Sequence, residues 1–180
     1  MGGLTPTTQS LQETAEALKK NQIVLFPCDT IWGLIAVGTP QNSQRLFEIK
    51  NRPTTQPFIT LVKDRAMAGT LATIQPHHHQ FLSQKWPGPT TFVFKNKDAD
   101  STIAIRVPSA PWLQDLLALV NAPIISTSAN LSGQPSPQTL ADIPSDITDN
   151  VDLIYTGHVQ LLGRASQLWD MTQTPPKRLR

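Results

Sequence analysis

The sequence predicts an α/β fold built on a mixed parallel and antiparallel sheet with flanking helices. Three observations lead there. Apolar runs of strand length at residues 23–26, 31–37, 58–62, 90–94 and 102–107 alternate with segments in which apolar residues recur at helical spacing. The last two runs are joined by a short charged connection, 95–100, so hairpin pairing is expected within the sheet. The 180 residues are 39% hydrophobic and 16% charged, enough to bury a core in one domain over 1–180 without metal or disulfide staples.

Ser10 and Glu13 have capping-box spacing, and Leu11, Ala15 and Leu18 continue at helical intervals, which predicts a helix over about 10–20. The strands at 23–26 and 31–37 flank the polar turn Cys28-Asp29-Thr30. Thr39 as N-cap with Pro40 at the first helical position opens a helix that runs to Lys50. A strand over 58–62 follows, then two short helices within 64–84 broken at Pro76. Trp86-Pro87-Gly88-Pro89 is a rigid turn before the hairpin strands 90–94 and 102–107. Pro111 opens a helix to Val120, 123–125 is a strand, and 126–133 reads as a small-residue polar loop. A short helix near 139–143 and strands at 151–155 and near 167–171 complete the order.

Fifteen basic against thirteen acidic residues leave a formal charge of +2, too small an excess to demand a nucleic-acid partner. One cysteine, Cys28, excludes an intramolecular disulfide framework and any multi-cysteine zinc site, which suits a reducing cytoplasm. Met1 to Pro6 lack the basic and apolar regions of a leader, and no apolar run approaches the roughly 20 residues that span a bilayer. A soluble, cytoplasmic protein is expected.

Lys50 and Arg52 sit at a helix C-terminus, where backbone carbonyls favour cations, so an ordinary surface pair is the commoner meaning. Pro53 sets this pair apart, because it fixes the helix exit and puts both side chains in position to meet one polyphosphate. Ser126, Thr127, Ser128 and Asn130 follow an apolar strand, where small polar groups line ligand sites in α/β sheets, although a plain Ser/Asn turn has the same composition. His77-His78-His79 lacks partners at ligand spacing and reads as a solvated helix start. Cys28 has no readable His partner and is expected to be packed, and the four Trp are scattered as core or lid residues. No glycine-rich phosphate loop of the usual kinds is present.

Five ordered motifs together resemble the threonylcarbamoyl-AMP synthase family, with its YrdC-like domain. They are Pro27-Cys28-Asp29-Thr30-Ile31-Trp32-Gly33-Leu34, Lys50-Asn51-Arg52-Pro53, Trp86-Pro87-Gly88-Pro89-Thr90-Thr91, Arg106-Val107-Pro108 and Ser128-Ala129-Asn130-Leu131-Ser132-Gly133. The resemblance runs from about residue 10 to the C-terminus and implies a twisted sheet around a basic concave cleft. It implies ATP-dependent joining of L-threonine and bicarbonate into threonylcarbamoyl-AMP, with pyrophosphate released and the product passed to proteins that modify tRNA. Magnesium is expected on the phosphates.

Carried over by motif, Lys50, Arg52, Ser128 and Asn130 are the expected nucleotide contacts, joined by Ser136 and Arg180, with Lys50 and Arg52 neutralising phosphate charge. Thr30, Arg106, Ser126 and Ser166 are expected around the threonine, carbamate or adjoining phosphate. Cys28 stands where the family has Thr and Trp32 where it has Tyr, which leaves the amino-acid acceptor more open than ATP use. A paralogous adenylate-forming enzyme with another acceptor is one alternative, and an RNA-binding module without turnover another. The chain resembles the short, single-domain form without the additional C-terminal domain.

Overall fold

The computed structural model describes residues 7–8, 10–157 and 159–180; the leader reading at Met1 to Pro6 lies outside them. Helix α1 (Leu11–Lys19) begins where the Ser10 side chain accepts from the Glu13 N–H, as the capping signature requires. Strands β1 (Thr7–Thr8), β2 (Val24–Cys28) and β3 (Ile31–Val37) precede helix α2 (Pro40–Lys50), whose Thr39 cap accepts from the Asn42 N–H. Strand β4 (Ile59–Leu61), helices α3 (Arg65–Leu71) and α4 (His79–Ser83), and strands β5 (Thr90–Lys95) and β6 (Thr102–Arg106) follow. Helix α5 (Pro111–Val120), strand β7 (Ile124–Ser128), helix α6 (Ser145–Thr148) and strands β8 (Leu153–Tyr155), β9 (Gln167–Asp170) and β10 (Lys177–Arg178) complete the order.

Among the described residues, ten strands form one sheet in the order β1-β8-β2-β3-β7-β4-β6-β5-β9-β10. The β2–β3, β3–β7, β7–β4 and β6–β5 pairs are antiparallel, whereas β8–β2, β4–β6 and β5–β9 are parallel, so the sheet is mixed. The expected hairpin between β5 and β6 is present.

Alternate side chains of β2 and β3 go to opposite faces and both faces are covered. Val24, Phe26 and Ile35 pack with Leu18 of α1 and with Leu113 and Leu117 of α5. Leu25, Leu34 and Ala36 pack with Leu46 of α2 and Ile147 of α6. A third cluster joins Phe92, Phe94 and Ile105 to Leu82 and Trp86, whose indole Nε1 donates to Thr90 O at 2.7 Å. Burial of each such side chain contributes about 1.5–3 kcal/mol.

Three differences from the sequence reading have physical causes. Strand β2 continues through Pro27, because β8 pairs only with Val24 and Leu25 and no partner on that side asks Pro27 for an N–H. Strand β7 extends to Ser128, so residues 126–128 are strand and not loop; they pair with Ile35, Leu34 and Gly33 despite their polarity. Helix α6 and the two-residue edge strands carry too little apolar pattern to be read.

Candidate active site

Helix α2 delivers the two cations in different directions. Asn51 closes the helix in the left-handed region (φ 47°, ψ 51°), with its N–H on Glu48 O and the Arg52 N–H on Phe47 O, both at 3.0 Å. Lys50 turns inward and is buried. Its ammonium donates to Ser128 O at 2.6 Å, to Asn130 O and to Asn130 Oδ1 at 3.2 Å, while its own carbonyl accepts from the Ser132 N–H. Burial, and then the Arg52 charge, lower its pKa to about 8.

Arg52 reaches Thr127 Oγ1 at 3.2 Å and Pro57 O at 3.3 Å, and its guanidinium carbon lies 5.4 Å from the Phe58 ring centre. Its Nε is buried with no partner. Burial lowers the Arg52 pKa as well.

The β2–β3 connection is a two-residue turn, Asp29-Thr30, closed by the Cys28–Ile31 pair. Asp29 Oδ1 accepts from Arg106 Nη1 at 2.6 Å, and Arg106, at the end of β6, is left with a buried, unpartnered Nε. Cys28 is buried 3.7 Å from Ser126 Oγ, and burial pushes its thiol up to about 11, which suits a packed residue and not a nucleophile.

These elements enclose a cavity of about 440 Å³. Thr30 contributes to it from the hairpin turn, Ser126 and Ser128 from β7, and Arg106 from β6. Arg52, Ser136, Ser166 and Arg180 line it from other directions. Lys50 and Asn130 stand behind the wall and not in it, with the Asn130 amide donating to Gln134 O. Of the two departures from the family motif, Cys28 lines the cavity, whereas Trp32 packs against the apolar cluster beneath α2.

Sequence reasoning assigned Thr91 no role of its own and Thr127 only a place in a polar run. Thr91 Oγ1 lies 2.8 Å from Ser166 Oγ, both buried, and Thr127 holds Arg52. No signal singles either out, since Thr91 follows Thr90 in β5 and Thr127 lies between two serines in β7.

Among the described residues, no Asp or Glu lines this cavity, and no group of three His, Cys, Asp or Glu is arranged to hold a metal. Three guanidinium groups and a set of hydroxyls therefore make it a receptor for anions. A larger, open hollow of about 610 Å³ beside α2 is lined by Glu48, Asp146 and Asp149, with Arg45 already paired to Asp152 at 2.6 Å, and its acids repel a polyphosphate. His78 is buried and accepts from the Gln75 N–H through Nδ1, whereas His77 and His79 are exposed, so the expected solvated helix start holds at two of the three histidines. No helix among the described residues is long and apolar enough to cross a membrane.

The Sua5/YciO/YrdC family model, described as "Telomere recombination", matches residues 16–180. A threonylcarbamoyl-AMP synthase of Pyrococcus abyssi is 31% identical over 173 residues, covering 91% of this chain and 51% of that protein. The chain thus spans about half the length of that relative. A threonylcarbamoyl-AMP synthase of Vibrio vulnificus is 30% identical over 175 residues, covering 89% of this chain and 93% of its own length. The structure of P. abyssi Sua5 complexed with L-threonine superposes with a TM-score of 0.87 at 27% identity, over 97% of this chain and 56% of that one. The E. coli YciO structure shares the fold with a TM-score of 0.84 at 23% identity, over 97% and 92%.

Proposed function

The chain belongs to the Sua5/YciO/YrdC family, and from that premise we propose that it makes threonylcarbamoyl-AMP from L-threonine, bicarbonate and ATP, with release of pyrophosphate. The observation that carries the reading is the pair of buried, unpartnered guanidinium Nε atoms, of Arg52 and Arg106, on one cavity that no acid lines among the described residues. A buried donor without an acceptor costs about 1–3 kcal/mol, and an anionic ligand removes that cost at both ends.

The threonine amine, having lost a proton, attacks the carbon of bicarbonate, and the adduct breaks a C–O bond and loses water to leave a carbamate. A carbamate oxygen then attacks the α-phosphorus of ATP as the bond to pyrophosphate breaks. The protein's part is alignment and charge neutralisation, with no covalent intermediate. Arg106 takes the carboxylate or carbamate and Arg52 with Arg180 the phosphates. Thr30, Ser126, Ser128, Ser136 and Ser166 orient the two substrates through their hydroxyls. Lys50 and Asn130 shape the wall from behind, and the Lys50 charge adds to the positive field. Among the described residues no acidic cluster offers magnesium a protein site and Asp29 is committed to Arg106, so such an ion would be held through the phosphates. The reaction is placed in the cytoplasm, with the adenylate handed to proteins that modify tRNA.

The test is pyrophosphate release from ATP with each substrate omitted in turn, across an amino-acid panel, since Cys28 lines the cavity. Release is expected only with L-threonine and bicarbonate together. Release that needs neither sinks the proposal, and preference for another amino acid identifies a paralogue. Arg52→Ala removes a charged hydrogen bond of about 1.5–3 kcal/mol, so turnover should fall roughly 10- to 150-fold with the fold intact.

A further inference from the structure

Asp29 and Arg106 come from parts of the sheet that are not neighbours. Asp29 follows β2 at the tip of the β2–β3 hairpin, Arg106 ends β6, and β7 and β4 stand between β3 and β6 in the sheet. Three interstrand spacings along the sheet amount to about 14 Å, yet the two side chains meet at 2.6 Å. Both side chains are more than nine-tenths buried, at 7% and 3% exposure. Asp29 is anchored from its other side as well, because its carbonyl accepts from the Leu162 N–H at 2.9 Å.

The acid takes only Nη1 of Arg106. A guanidinium is a rigid plane, so fixing one corner fixes the direction of the rest, and the edge that carries Nε and Nη2 is the one suited to bidentate capture of a carboxylate. Nε on that edge is buried and unpartnered, and Arg106 lines the cavity. Thr30, which follows Asp29, lines the same cavity.

We propose that Asp29 is a positioning residue, which holds Arg106 by one corner so that its Nε–Nη2 edge meets the carboxylate of the amino-acid substrate. The proposal rests on the functional reading above for the identity of that substrate. Simple neutralisation of Arg106 has the opposite consequence: removing Asp29 then leaves a freer positive charge, and anions bind more tightly.

Asp29→Ala and Asp29→Asn separate the two. Calorimetric binding of L-threonine and of a non-hydrolysable ATP analogue is measured for each folded variant and for the wild type. Asp29→Ala is expected to weaken L-threonine at least tenfold and the analogue less than twofold. Asp29→Asn, which keeps an acceptor oxygen, should fall between Ala and wild type. Unchanged or tighter L-threonine binding by Asp29→Ala overturns the proposal, and so does equal weakening of both ligands.

If the wild type binds the analogue but no amino acid, the functional reading has failed. Asp29 is then judged from the NMR signal of the Arg106 Nε–H in ligand-free protein, assigned by its loss in Arg106→Lys. Positioning predicts solvent exchange at least tenfold faster in Asp29→Ala than in wild type, and equal rates refute it.

Discussion

Lys50 and Arg52 are two positions apart and carry the same formal charge, yet the left-handed residue between them sends one into the wall and the other to the cavity. The Lys50 ammonium has three N–H groups and three acceptors, all on the segment 128–130. Lys50→Met should therefore speed amide hydrogen exchange at Ala129 and Ser132 in ligand-free protein. A lysine whose task is phosphate contact alone predicts no change there. Its titration gives a second reading. The native pKa of about 8 lies below the ordinary 10.5, so between those values the unfolded chain binds more protons. Lys50 accordingly adds to stability as pH rises through that window, whereas below it both states are protonated and the penalty of the buried charge is constant. In urea unfolding from pH 8 to 10.5 wild type should gain stability relative to Lys50→Met, since the buried Cys28 thiol, pushed up to about 11, lowers both proteins alike in the upper part of that window. The K-x-R spacing was legible in the sequence, but the divergence of its two cations was not, because Asn is compatible with both a helical and a left-handed conformation.

Strand β3 depends on a missing side chain. A Cβ at Gly33 would lie 3.0 Å from Cys28 Sγ and 3.1 Å from Thr127 O, the second a backbone atom that cannot swing aside. Gly33→Ala should destabilise by about 1–3 kcal/mol as an overpacked site, read as a fall of about 2–4 °C in Tm per kcal/mol. At this scale the apolar pattern found β3 and α5 with their bounds, whereas α2, whose buried residues are Asn42, Leu46 and Lys50, was legible from its Thr39 cap and Pro40. The apolar pattern lost β7 at Ile125. The rest of that strand is Ser126-Thr127-Ser128, and a strand that lines a polar cavity has no apolar pattern to read.

The order of the ten strands was beyond the sequence, because pairing β7 between β3 and β4 depends on contacts nearly a hundred residues apart. The position of Arg45 against Asp152 has the same origin. Burial raises the Asp152 pKa, but the hydrogen bonds from Arg45 and from the Ile23 N–H outweigh it and hold the carboxyl below its ordinary 3.8. That stability is present above the unfolded value and is lost as pH falls through the native one. Acid unfolding should be less steep in Asp152→Asn below pH 4, compared with wild type in urea titrations. The cavity, too, exists only in the finished molecule, its wall drawn from residues as distant as Cys28 and Arg180. An unfolded chain has no such receptor, so its occupant is also a folding ligand: at a hundred times its Kd it adds about 2.7 kcal/mol to the native state. With the proposed nucleotide as that occupant, cells rich in it would protect this protein from heat and proteolysis, and starvation would leave it exposed.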